Sequence, residues 1–240
     1  MEKADNPYQK GQVLLIDKPL NWTSFDVVNK VRYAIKTPEK HKIKVGHAGT
    51  LDPLATGLLI LCTGKFTKRI NEYQGLEKEY TGTFYLGAVT PTYDLESEPT
   101  DFKDISELTN ADIEKAKEDF TGTIQQVPPI HSAVKKKGKK AYELARKGKE
   151  VKLDPRSVEI KEFEITRIAF PEIDVRIKCS KGTYIRSLAN DFGSSLGCGA
   201  YLSKLRRTKI GDFAVEDATD IKTTIVNIHE HLKTDNPPQN

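Results

Sequence analysis

The sequence predicts an α+β fold built round a mixed, mainly antiparallel central sheet flanked by helices. Extended patterns outnumber helical ones, and they come in runs without the regular strand-helix alternation that builds a parallel sheet. No stretch repeats with the period of about 20–50 residues that marks solenoids and propellers. The 240 residues suffice for one substantial core. One compact domain over 1–230 is expected, with a flexible tail over 231–240.

Residues 12–17 (QVLLID) read as a buried strand that Lys18-Pro19 ends. Thr23 or Ser24 then caps a helix carrying Val27, Val28, Val31 and Ile35 on one face. The segment 46–57 is rich in Gly, Thr and Pro and is predicted to be a loop between extended flanks. Residues 78–88 alternate as a half-buried strand. Thr109 and Asp112 form a capping-box pattern before a short helix. Strands are expected at about 157–168 and 173–180, and a helix at 186–196, closed by Gly197. The stretch 121–152 has too few large apolar residues for a core of its own and is expected to protrude as a basic insertion.

Charge is unevenly placed. The net charge is +4, yet residues 135–152 hold eight Lys and one Arg against two Glu. That window is +7, so the remainder sums to −3. A second acid-free stretch, 200–210, adds Lys204, Arg206, Arg207 and Lys209. Two basic clusters on an otherwise acidic chain point to a polyanionic partner. The longest apolar run, LLILC at 58–62, is too short to span a bilayer, and the N-terminus has no apolar segment behind its charges, so a cytoplasmic protein is expected. Cys62, Cys179 and Cys198 form no C-x-x-C pair and read as reduced packing residues. The five histidines show no ligand spacing, and no phosphate-cradling glycine motif is present, so neither a metal nor a cofactor is expected.

Asp52 stands between glycine-rich turns and before a proline. Asp-Pro alone is an ordinary turn opening. The wording around it says more. GHAGTLDPLATGLL at 46–59 closely resembles the catalytic motif of the TruB family of tRNA pseudouridine synthases. Further resemblances follow in the family's order: LLIDKPLNWTS at 14–24, KEYTGTFYLG at 78–87, VPPIHSAVK and GKKAYELAR at 127–146, CSKGTYIRSLA at 179–189 and GCGAYLSKLRR at 197–207.

The resemblance implies a pseudouridine synthase fold and isomerisation, without a cofactor, of the uridine at position 55 in the tRNA T-loop. It implies that Asp52 is the catalytic carboxylate, which either adds to C1′ or removes the 2′ proton to give a glycal. Tyr80 matches the active-site tyrosine that stacks on the base and takes the C5 proton. Arg186 matches the arginine that pairs with the aspartate. On the substrate side it implies His47, which stacks in the T-loop once the uridine is flipped, Tyr184 beside the target nucleotide and Leu205 lining the base pocket. Lys18 with Pro19, a motif bracing the catalytic loop, and Asp94, an acidic residue near the site, are grouped with them.

Phosphate contacts are expected from Lys135, Lys136, Lys137, Lys139, Lys140, Arg146, Lys147, Lys204, Arg206 and Arg207. The T-arm stem-loop of tRNA is thus the expected partner, and the protein is expected to be a monomer. Only 33 residues follow the LRR segment, too few for the C-terminal PUA module of larger family members. The alternatives are a synthase acting on another RNA and a tRNA-binding folding assistant in which Asp52 is only structural.

Overall fold

The structure, a computed structural model, describes residues 6–36, 42–132, 134–136, 139–140 and 153–234. Where one domain over 1–230 was expected, the chain groups into two compact units. The first comprises residues up to Lys78 together with those from Arg206 onward, and the second is Glu79–Leu205.

In the first unit, a short helix α1 (Pro7–Lys10) precedes strand β1 (Val13–Lys18) and helix α2 (Ser24–Ala34). Thr23 and Asp26 close a reciprocal capping box at the start of α2, because each side chain satisfies the other's free backbone N–H. Strands β2 (Val45–His47) and β3 (Ala55–Thr63) follow, then helix α3 (Ile70–Gly75). β3 pairs antiparallel with β1, from Val13 opposite Cys62 to Lys18 opposite Gly57, and also with β2.

The LLILC run explains why β3 is central here. Leu59 and Leu61 pack with Ile16, the four apolar residues of the α2 face and Ile228. Leu58, Ile60 and Cys62 point the other way, into a second cluster with Ala48, Tyr73, Ile210 and Val215. Both faces are buried, so a continuous apolar run replaces alternation.

The second unit begins with β4 (Lys78–Leu86) and helix α4 (Asn110–Glu118), the latter capped by the Thr109–Asp112 box. β5 (Gly122–Gln126), β8 (Arg156–Ala169) and β9 (Glu172–Cys179) form successive antiparallel pairs. Between them, β6 (Lys135–Lys136) and β7 (Lys139–Lys140) make a separate two-stranded ladder. Residues 122–126 of the expected protrusion therefore belong to the sheet, since Ile124 and its neighbours find ladder partners on β8. Helix α5 (Ile185–Ser195) leads to β10 (Ala200–Ile210), and the strand order here is β10-β4-β9-β8-β5. Phe84, Phe120, Phe163 and Phe192 meet at ring separations of 5.7–6.2 Å in edge-on and tilted pairs, fixing α5 on the sheet.

The last five residues of β10 return to the first unit, where β11 (Phe213–Ala214) pairs with them and helix α6 (Ile221–Thr234) closes the chain. The α6 helix runs through 231–234, the first part of the expected tail; Ile228 holds it on the core. Residues 235–240 lie outside the described residues. All three cysteines are buried and free. Among the described residues no helix is long and apolar enough to cross a membrane, and no group of His, Cys, Asp and Glu could hold a metal ion.

Candidate active site

Asp52 lies in the loop between β2 and β3, partly exposed, and that loop is held almost entirely by its backbone. Ser24 Oγ donates to the Leu51 carbonyl at 3.1 Å and accepts from the Leu51 N–H at 2.8 Å. The Asn21 N–H donates to the Pro53 carbonyl at 2.9 Å. Arg207 is only 1 % exposed, and its guanidinium donates to the carbonyls of Leu58, Gly49 and Thr50 at 2.8, 3.2 and 3.5 Å. Gly57 is needed where the loop meets β10. Its φ is +103°, and a Cβ there would sit 2.3 Å from the Arg207 carbonyl oxygen.

Lys18 is fully buried and donates to the carbonyls of Trp22, Pro19 and Pro53 at 2.5, 2.9 and 3.4 Å. Burial pulls its ammonium down to about 8; nearby Asp52 opposes that shift and Arg207 reinforces it. The folded value lies below the 10.5 of an ordinary lysine, so between about pH 8 and 10.5 the unfolded chain holds the extra proton and stability rises with pH. In urea denaturation, the wild-type midpoint should therefore gain on that of Lys18→Met as pH rises from about 8 to 10, while the gap stays constant below about 7. A pH-independent gap throughout would show that Lys18 does not titrate in this way.

His47, on β2, is also held below its usual range, first by burial and then by the Arg207 charge, with a Gly49 backbone contact opposing. It is therefore neutral at pH 7. Lys18, His47, Asp52 and Arg207 thus gather in the first unit.

In the second unit Asp94 and Arg186 are a buried ion pair, with Nε to Oδ2 at 3.5 Å. Arg186 also donates to the carbonyls of Thr92 at 3.1 Å and His131 at 3.0 Å. Asp94 Oδ1 accepts the Glu96 N–H at 3.0 Å. Tyr184 stands at the N-cap of α5, two residues before Arg186, with the Arg156 guanidinium 4.7 Å above its ring. Tyr80 is buried on β4, and Leu205 lies against Gly82 of the same strand.

Three expectations change. Arg207 is no phosphate ligand, because its donors are spent on buried carbonyls. Asp94, grouped with substrate contacts, is buried in an ion pair with Arg186, and Lys18, expected as a brace and grouped with them, is buried with its ammonium on the carbonyls of Trp22, Pro19 and Pro53. Arg206 is bidentate to Asp17 at 2.7 and 3.0 Å, whereas Lys204 is exposed. Lys137, Arg146 and Lys147 lie outside the described residues, and Lys135, Lys136, Lys139 and Lys140 are described as backbone in β6 and β7. Sequence reasoning missed Gln126, Arg156 and the bracing roles of Ser24 and Arg207.

A family model described as TruB family pseudouridylate synthase (N terminal domain) matches residues 36–185. A second, described as tRNA pseudouridylate synthase B C-terminal domain, matches residues 186–235. A protein of Flavobacterium johnsoniae named tRNA pseudouridine synthase B is 57% identical over 216 residues, covering 89% of this chain and 94% of that one. A namesake from Chloroherpeton thalassium is 52% identical over 229 residues, 95% of each chain. Among solved structures, a Cbf5-Nop10-Gar1 complex aligns with a TM-score of 0.71 at 25% identity, covering 99% of this chain and 60% of that chain. The archaeal box H/ACA sRNP Nop10-Cbf5 complex aligns at 0.67 and 24% identity, over 95% and 56%, and shares the fold. The chain spans less than two thirds of these two solved chains.

Proposed function

The chain belongs to the TruB family of pseudouridylate synthases, and on that footing we propose that it converts the uridine at position 55 of tRNA to pseudouridine, with Asp52 as the catalytic carboxylate. The observation that carries this reading is the Asp52 loop, whose backbone is fixed by Ser24, Arg207, Lys18 and the Asn21 N–H while Asp52 itself is partly exposed. A reacting group held by carbonyl braces is ready before substrate arrives.

The reaction moves no atoms in or out. The N1–C1′ bond breaks, the uracil turns, a C5–C1′ bond forms, and the proton on C5 ends, after exchange, on a ring nitrogen. Asp52 acts on the sugar, as nucleophile at C1′ or as base toward the 2′ proton. Tyr80 stacks on the uracil and removes the C5 proton. The base must first leave its stack, at a cost of a few kcal/mol, and neutral His47 is suited to fill the vacated place without importing a charge. Lys204 and the lysines of the insertion supply the phosphate contacts, so affinity falls as salt rises. Arg186 has the place of the arginine that pairs with the family's catalytic aspartate, and within its own unit it is ion-paired with Asp94.

The test is a full-length tRNA transcript carrying 5-tritiated uridine. Tritium release should reach one equivalent per RNA, and mapping should place the pseudouridine at position 55. A transcript with cytidine at 55 should release none; release from it would overturn the site assignment.

A further inference from the structure

Gln126, the last residue of β5, is fully buried, and its side-chain amide is spent twice on one neighbour. Its Nε2 donates to the Tyr184 carbonyl at 3.0 Å, and the Tyr184 N–H donates to its Oε1 at 2.8 Å. Those two bonds fix the peptide planes on either side of Tyr184 at the point where α5 begins. The stitching continues along both segments. Ser187 Oγ donates to the Val127 carbonyl at 2.8 Å, and Arg186 Nη2 to the His131 carbonyl at 3.0 Å. Pro128 and Pro129, which stiffen the intervening stretch, are buried. Arg156, which covers the Tyr184 ring, stands opposite Gln126 in the β5–β8 register. Neighbours on one ladder thus grip Tyr184 by its backbone and by its ring.

We infer that Gln126 is a positioning residue for the uridine chemistry, setting Tyr184 and the first turn of α5 so that Arg186 presents its guanidinium in one orientation. This rests on the place that the resemblance gives Tyr184 beside the target nucleotide and on the role proposed above for Arg186. An amide is the side chain that the geometry requires, because one donor and one acceptor are needed in a fixed plane on a buried side chain. Leucine fills similar volume and satisfies neither bond. Glutamate keeps the acceptor for the Tyr184 N–H, but it donates to the Tyr184 carbonyl only when protonated.

The experiment measures single-turnover rate, transcript affinity and melting temperature for Gln126→Leu and Gln126→Glu, with Gln126→Leu also placed on Arg186→Lys. Gln126→Leu should slow the step roughly 10–100-fold, the cost of a misplaced group, with affinity within about threefold of wild type. The rate of Gln126→Glu relative to wild type should be highest at low pH and fall as pH rises through the titration of the new carboxyl. On the Arg186→Lys background, Gln126→Leu should add less than about threefold, because both changes act on one group. The inference is overturned by a folded Gln126→Leu variant at wild-type rate, by losses that multiply in full, or by a Gln126→Glu ratio that is flat with pH. That ratio alone decides the matter if Gln126→Leu does not fold. Arg186→Lys at full rate would overturn the proposed role of Arg186 itself, whereas a slow Arg186→Lys beside an unaffected Gln126→Leu would overturn only the role of Gln126.

Discussion

Replacing Asp52 with Asn is expected to abolish pseudouridine formation, lowering the rate by at least about 10⁴-fold as loss of a reacting nucleophile does elsewhere, while tRNA remains bound. Asparagine matches the carboxylate in shape but can neither add to C1′ nor take a proton from C2′. The loop should keep its form, because hydrogen bonds hold the carbonyls of Gly49, Thr50, Leu51 and Pro53 together with the Leu51 N–H. The checks are tritium release, a filter-binding isotherm and the melting temperature. Substantial turnover by Asp52→Asn would remove the basis for a catalytic carboxylate here, and loss of binding without loss of the chemical step would place Asp52 among the RNA contacts instead.

The second large effect is expected at Tyr80. Tyr80→Phe preserves the ring for stacking and the buried apolar contact on β4, so transcript affinity should hold within about threefold, as remote contacts are unchanged. It removes the phenolic oxygen, and without a proton acceptor at C5 the rate should fall roughly 10²–10⁴-fold. A phenol of ordinary pKa about 10 is a weak base, but the C5 proton it removes is acidic, since its loss restores the aromatic ring. Stopped reactions should show reduced tritium release and reduced pseudouridine in equal measure. Unchanged release would limit Tyr80 to a stacking surface.

Local signals account for what was readable in the sequence. The cap expected at Thr23 or Ser24, the Thr109 capping box and the apolar face of α2 involve residues within a few positions of one another, and the structure has the cap at Thr23, the box and the face. β3 was legible as a run because both its faces are buried. β10 was not, since its arginines and lysines read as a basic surface. The partners that draw Arg207 inside lie 149–158 positions away, beyond any local pattern. The same holds for Gln126, whose partner is 58 positions distant. At the candidate site, the wording around Asp52 carried the reading and its turn context did not. Asp94 was noticed without a role because nothing nearby in sequence announces Arg186 as its partner.

The braces on the Asp52 loop grip backbone atoms, the carbonyl oxygens that every residue type possesses and one N–H, at Leu51. Shape and chemistry are thereby decoupled: side chains at Thr50 and Leu54 can be exchanged without touching a bond that sets the curve of the chain, while Gly57, where a backbone passes too close for any Cβ, cannot. A library randomised at Thr50 and Leu54 would therefore sample different surroundings for the uridine on one unchanging scaffold.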